Sequence, residues 1–425
     1  MSEIWGAFVI IAFLLLMLMK VPVAVALLAP SIAYVFITGE GLTIVSSRVV
    51  SSVNSYTILA IPLFIYVGSL LNHSGFTSYI FKFANKLVGR MRGGLAQVNI
   101  LASLIFSGMS GAALADIGGV GRMMIHAMEE YDYKSSYAAA LTCASATAGP
   151  IFPPSIPLII YGLIAEQSIL ALFMAGIIPA LVCVVLLMIT TVFIAQKHDF
   201  PTVDSEEIVG WGEFTYTLPA VLTPIVLIAG MLTGIFGPSE VAAITVLYVI
   251  AVNVIIYRNI ESGYILAASR ESVRTTTAIL FIIAAAAMFS WVLSVTRMAP
   301  FVTESILLLS TDPVTILLLV NLLVLLTGLF LETIAAIVML TPLLLPAVTQ
   351  VGVDPIHFGV ILVFNLMIGL LTPPFGLSLF LSSQLADVPV EETIQSLLPY
   401  YIPLFLTLLY VTFFPETYLW TIDLL

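Results

Sequence analysis

Apolar residues fill this chain in long unbroken blocks, such as FVIIAFLLLMLM, ITVLYVIAVNVIIY and AILFIIAAAAMF, and do not alternate with polar ones at a period of two. Blocks of this kind predict helices that are apolar all round, and they exclude barrel strands. A hydrocarbon core about 30 Å thick takes roughly 20 residues of helix, so 425 residues accommodate on the order of a dozen spans with short loops. The first block has no basic residue ahead of it and no small-residue cleavage site, so it is expected to be a span and not a removed signal. Two blocks are interrupted by a double proline: GPIFPPSIPLIIYG at 149–162 and GLLTPPFGLSLF at 369–380.

Sliding the chain along itself by 220 residues lays Pro153 and Pro154 on Pro373 and Pro374. The same ungapped offset pairs Gly108 with Gly328, Ala115 with Ala335, Gly149 with Gly369, Val21 with Val241 and Pro179 with Pro399. Two similar halves are predicted, about 1–200 and 215–425, joined by the polar stretch QKHDFPTVDSEEIVGWGE. Each half is expected to run span, span, surface helix, span, re-entrant hairpin, broken span, span. With the N-terminus outside, Lys20, Lys82, Lys86, Arg90, Arg92, Lys134, Lys197, Arg258, Arg270 and Arg274 fall at cytoplasmic ends, and Arg122 lies near that side. Only Arg48 and Arg297 remain outside, so the halves are expected to be inverted. The surface helices are read from GLTIVSSRVVSSVNSYT and ESGYILAASRESVRTTT, both too polar to span.

The hairpins are placed on LAQVNILASLIFSGMSGAALADIGGVGRMMIHAM, with its polar tip at Ser107 to Gly111, and on TILLLVNLLVLLTGLFLETIAAIVMLTPLLLPAV, with its tip at Thr327 to Thr333. Their arms are expected to be too short to cross the membrane. Proline removes an amide donor, clashes with the carbonyl four residues back and pushes its predecessor out of the helical region. Around Pro153 this is expected to free carbonyls from Ser145 to Phe152, while Ser155 caps the helix that restarts. Freed carbonyls suit a cation and a helix N-terminus suits an anion. Matched Gly/Pro breaks in two inverted halves are the mark of secondary transporters. Neutral oxygens at Ser107, Ser110, Thr147, Ser155, Thr327 and Thr372 favour Na⁺ over H⁺ as the coupling ion. The titratable groups nearby, Asp116 and Glu332, do not align with one another, and each is either functional or structural, Glu332 as a helix cap.

Composition changes the picture little but rules out much. Hydrophobic residues make up 61% of the chain and charged residues 9%, with mean hydropathy +1.16, far from a soluble domain. The net charge of −11 gives no reason to expect a nucleic-acid partner, and Cys143 and Cys183 form neither a disulfide framework nor a transition-metal site. No GxxxxGK[ST] loop is present, which removes an ATP-driven pump. GMSG at 108–111 fits the GxSG of intramembrane serine proteases, with Ser110 as nucleophile and His126 or His357 as base. A passive channel is a further alternative, although it has no need of two separate breaks. Arg122 reads as a substrate contact or a snorkelling anchor, and Gly118, Gly119 and Gly121 as helix packing. Trp5, Trp211 and Trp420 read as an aromatic belt.

FSGMSGAALAD, GPIFPPSIPLIIYG, TGLFLETIAAIVMLTPLLLP, IGLLTPPFGLSLF and GPSEVAAIT together resemble the large membrane subunit of the TRAP (tripartite ATP-independent periplasmic) transporters, in the family's order and across essentially the whole chain. The resemblance implies an all-α polytopic membrane protein of the bacterial inner membrane, with a scaffold and a mobile transport domain working as a sodium-driven elevator. It implies a small four-helix membrane subunit and a periplasmic substrate-binding protein as partners. The implied substrates are small organic anions: C4-dicarboxylates or sugar acids such as sialic acid. A sodium/anion symporter that works without a binding protein is the near alternative.

On that basis residues 1–94 are scaffold and surface arm, 95–165 transport domain, 166–314 scaffold with the linker and second arm, 315–385 transport domain, and 386–425 a final scaffold helix. The first sodium site is expected at Ser107, Gly108, Ser110 and Gly111 with Thr147, Gly149, Pro150 and Ser155. The second is expected at Thr327, Gly328 and Glu332 with Gly369 and Thr372. The substrate is expected at Ser110, Asp116, Pro154, Ser155, Thr333 and Pro374, next to the restarted helices. Phe375 and Gly376 stand where the first break has Ser155 and Ile156, so the second break lacks a hydroxyl cap.

Overall fold

The computed structural model describes residues 2–198, 200, 211–232, 235–258 and 263–425. Most of the polar joint between the halves, and the side chain of Trp211, lie outside the described residues. The first half contains α1 (Ser2–Leu18), α2 (Val23–Thr38), α3 (Thr43–Val53), α4 (Ala60–His73), α5 (Phe76–Val88), α6 (Gly94–Ser110), α7 (Ala113–Asp116), α8 (Arg122–Glu130), α9 (Ser135–Ser145), α10 (Ile156–Ala165) and α11 (Ile169–His198). A π-helical turn at Ile117–Gly121 joins α7 to α8. The second half contains α12 (Trp211–Leu232), α13 (Pro238–Ala251), α14 (Gly263–Val295), α15 (Met298–Leu309), α16 (Pro313–Gly328), α17 (Thr333–Gln350), α18 (Pro355–Leu371), α19 (Leu377–Leu385), α20 (Val390–Phe413) and α21 (Glu416–Leu419). Among the described residues, eight helical stretches are long and apolar enough to cross a membrane. The protein is an all-helical polytopic membrane protein.

Local chemistry sets the helix starts. Asp312 accepts from the Thr315 amide at 2.9 Å and Asp354 from the Ile356 amide at 2.7 Å, each followed by a proline in the first turn. Residues 357–371 of α18 are all buried, as expected of a helix apolar on every face. α18 packs against α16, α17, α10, α11 and α20, at the centre of the hairpin body.

Two expectations change. Of the hairpin arms, α6 and α16 hold 17 and 16 residues and stay short of a span as expected, whereas α17 holds 18 and is long enough to cross. α6 stays helical through Ser107 and Ser110 because Gly111, at φ +64, accepts the left-handed cap. ESGYILAASRESVRTTT is no separate surface helix. From Gly263 onward it is the start of a continuous 33-residue helix, whereas its counterpart α3 is separate and has no buried residue. α11 and α20 have their main contacts with each other and with α6, α9, α10, α18 and α19. Buried polar ties hold them there: Gln97 donates to the Met188 carbonyl at 3.0 Å, and the Tyr400 hydroxyl lies 2.7 Å from that of Tyr137 and 3.1 Å from that of Thr191.

Candidate functional site

At the first tip, Asp116 is buried and accepts hydrogen bonds from both Ser107 and Ser110, one on each carboxylate oxygen. Ser107 and Ser110 end α6, and the turn at Gly111 brings α7 back so that its Asp116 faces them. Gly149 presses against the same group: a Cβ there would overlap Ser107 Oγ and stand 2.5 Å from Asp116 Oδ2. Gly108 is packed by Phe152 and by Pro224 of α12, where a Cβ would lie 2.9 and 3.0 Å away.

The tip is tied directly to the broken helix. The Ile156 amide donates to the Gly111 carbonyl at 3.3 Å, and a Cβ on Gly111 would meet the Pro154 carbonyl oxygen at 2.7 Å. Between α9 and α10 the chain makes a 3₁₀ turn over Ala146–Ile151. The Phe152 amide is shared by the carbonyls of Ala148 and Gly149 at 3.2 and 3.0 Å, and Ser155 donates to the Pro150 carbonyl. Three of the carbonyls expected to be free therefore accept local hydrogen bonds, because the tight turn brings the Phe152 amide and the Ser155 hydroxyl within reach. Each carbonyl oxygen keeps a second lone pair. Ser155 caps α10 as expected, accepting from the Leu158 amide at 3.1 Å. Thr147 donates back to the Ala144 carbonyl at 2.6 Å. The Pro153–Pro154 and Pro373–Pro374 bonds are both cis.

The second tip is built differently. Gly328 and Gly369 touch through their backbones, and a Cβ on Gly369 would lie 2.7 Å from Gly328 Cα. Thr327 and Thr372 each donate back into their own helix, to Leu323 at 2.8 Å and Ile368 at 2.6 Å. Glu332 is the N-cap of α17, accepting from the Ile334 and Ala335 amides at 3.0 and 3.3 Å. Thr333, at the first position of α17, is buried. α19 starts at Gly376 with no side-chain cap, and the Phe330 and Phe375 rings meet at 5.1 Å. Pro374 and Phe375 are exposed, whereas Pro154 and Ser155 are buried.

Both breaks lie in one packed body. α10 packs on α17 of the second hairpin, and α19 packs on α7, α8, α9 and the π turn of the first. Behind the tips run polar contacts that the candidate residues did not include. Asn99 donates to Thr142 at 2.8 Å, and the Ser103 and Ser145 hydroxyls lie 2.9 Å apart. Asn365 donates to both the carbonyl and the side-chain oxygen of Asn321, each at 2.8 Å, and Asn321 donates to Thr412 at 2.9 Å. The signal was there: Asn99, Ser103 and Ser107 recur every fourth residue on one face of α6.

The protease reading fails on geometry. Ser110 turns to Asp116. His126 is exposed beside Glu129, with Nδ1 3.4 Å from Oε2, and His357 places Nε2 3.0 Å from the Val411 carbonyl. Arg122 is exposed.

Residues 10–417 match the model of the tripartite ATP-independent periplasmic transporter, DctM component. The chain belongs to the DctM family. This DctM component is a transporter permease and not an enzyme. It is 37% identical over 412 residues to the sialic acid TRAP transporter large permease protein SiaM of Vibrio cholerae, covering 96% of each chain. It is 34% identical to the C4-dicarboxylate TRAP transporter large permease protein DctM of Pseudomonas aeruginosa, covering 85% of this chain and 84% of that one. Its fold is similar to the crystal structure of the YdaH transporter of Alcanivorax borkumensis, with TM-score 0.60, 15% identity and 87% of each chain covered.

Proposed function

We propose that this DctM component drives sodium-coupled uptake of a small organic anion, delivered by a periplasmic binding protein, across the bacterial inner membrane. The observation that carries the reading is the pairing of each hairpin tip with a helix break: Ser107, Ser110, Asp116 and Gly149 on one side, Gly328, Gly369 and Thr372 on the other. At the first tip, the Asp116 carboxylate and the remaining lone pairs of the break carbonyls supply the negative charge and oxygens that a sodium ion needs. At the second, backbone carbonyls and Thr372 would do so, with Glu332 occupied as a cap. The anion would sit by the starts of α10 and α19, near Pro154, Ser155, Thr333 and Pro374, where helix dipoles favour negative charge; Ser110 and Asp116, expected among the substrate contacts, bond to each other and are assigned here to sodium instead.

Two repeated halves are supported by helix bounds that keep the 220-residue offset, Ala113–Glu130 against Thr333–Gln350 and starts at Ser135 and Pro355; their inversion rests on the distribution of Lys and Arg. The mobile body of an elevator would comprise α6–α11 and α16–α20, moving against α1–α5 and α12–α15. Packing supports adding α11 and α20 to it. A small four-helix membrane subunit would complete the assembly, and the distribution of Lys and Arg supports a periplasmic N-terminus. Similarity to sialic acid and C4-dicarboxylate permeases supports a carboxylate as substrate.

The test is uptake into proteoliposomes holding this chain with its small subunit, the cognate binding protein being added outside. Uptake should follow an inward sodium gradient. Uptake that is unchanged when external sodium is replaced by choline overturns the coupling.

A further inference from the structure

We propose that the groove between α3 and the C-terminal end of α14 binds the phosphate of a membrane phospholipid, with Arg48 as its anion-binding cation. The sequence TIVSSRVVSSV of α3 sets Thr43, Ser47 and Ser51 four residues apart, so their hydroxyls form one strip with Arg48 alongside. On the other side of the helix, Val45 and Val49 pack against the protein core. The hydroxyl strip, Ile44, Arg48 and Trp291 line a groove of about 540 Å³. Arg48 makes no ion pair with any described residue, and Ser47 Oγ has no hydrogen-bond partner among them. Ser51 Oγ donates to the Arg48 carbonyl at 3.2 Å; the unpaired guanidinium beside the Ser47 hydroxyl is suited to phosphate, which a planar fork of N–H donors can hold through two oxygens.

Aromatic residues set the depth. Trp5 of α1, Tyr34 of α2 and Trp291 of α14 form an edge-to-face chain, with centroids 6.3 and 6.5 Å apart. Tryptophan and tyrosine gather at the level of lipid headgroups, so the groove beside Trp291 lies where phosphates lie. A transported anion is a poor occupant, because α3 has its main packing against α14 and not against the hairpins. A soluble phosphate would lack the acyl chains that can cover Leu42 and Val50, which are 58% and 62% exposed on the same arm. The bound lipid would tie the arm to the frame at the membrane surface.

Native mass spectrometry of the full-length protein in detergent, titrated with phosphatidylglycerol, tests this. The wild type should hold one lipid that Arg48→Gln binds about tenfold more weakly, with Arg48→Lys in between because an ammonium lacks the fork. Arg48 is exposed, so the variants should keep the wild-type melting temperature. Equal lipid retention in Arg48→Gln and wild type overturns the proposal. Displacement of the lipid by inorganic phosphate at the same concentration overturns it in favour of a free-phosphate site. Loss of the lipid when the small subunit is co-purified overturns it in favour of a protein occupant. As a second readout, lipids brominated near the headgroup should quench Trp291, judged by difference from Trp291→Phe; no difference counts against the site.

Discussion

The break at 146–155 is sealed by polar atoms: Ser107 and Ser110 on Asp116, the Ile156 amide on Gly111, the Leu158 amide on Ser155. The break at 372–376 carries the same proline pair and is closed by other means, glycine backbone on glycine backbone and one phenylalanine ring on another. Its outer side, Pro374 and Phe375, is exposed. A shared proline pair therefore dictates where a helix stops but not how the gap is held. Under the proposed coupling, the first site is preorganised by hydrogen bonds, while the second depends on close approach and can open by sliding one backbone off another.

The largest effect expected from this contrast is at Gly369. A methyl group there meets the Gly328 backbone, which cannot swing aside, so Gly369→Ala should cut sodium-driven uptake by one to two orders of magnitude, roughly the result of 1–3 kcal/mol of overpacking. Gly149→Ala meets the side chains of Ser107 and Asp116 and no backbone atom among its nearest contacts, and should cost less. Uptake assays on matched amounts of membrane-inserted protein compare the two, and the reverse order would mean that the polar site is the more rigid. Next comes Asp116→Ala, which leaves two buried hydroxyl donors without an acceptor, at about 1–3 kcal/mol. The sodium concentration for half-maximal uptake should rise about tenfold. Glu332→Gln keeps an oxygen on the α17 amides and should change it less than about twofold; equal shifts would erase the distinction between ligand and cap.

Ser155→Ala should lower thermal stability by about 1 kcal/mol through the lost cap, with a several-fold rise in substrate KM if the anion sits at the start of α10. Gly376 offers no cap to lose. The smallest effect belongs to Phe375→Ala, which gives up a half-exposed ring contact worth about 0.5–1.5 kcal/mol. Uptake should fall less than about threefold, and a greater loss would show that the aromatic pair closes the second site.

What could be read in the sequence was what single residues impose on their own backbone. The proline pairs, the glycine at the first tip and Ser155 as a cap act locally, so they were legible. The Ile156–Gly111 bond joins two backbone atoms from distant segments and leaves no residue type behind as a mark. Asn321 and Asn365 did leave one, since an amide in apolar text must find a partner when buried, but the partner itself depends on how helices cross. In ESGYILAASRESVRTTT polarity is a poor guide and the lack of a helix breaker decides. Neither Gly nor Pro occurs between Gly263 and Val295, whereas Asn54 and Ser55 interrupt the corresponding place in the first half. The grouping of α11 and α20 rests on Tyr400 meeting Tyr137 and Thr191, a contact invisible along one dimension.

The uninterrupted α14 makes bilayer thickness a mechanical variable for this protein. Its 33 residues measure about 50 Å against a hydrocarbon core of about 30 Å, so it must tilt or project. Thinning or thickening the membrane changes that tilt. Because α14 packs on α2, α3 and α4 as well as on α17, acyl-chain length bears at once on the frame and on the arm of the second hairpin.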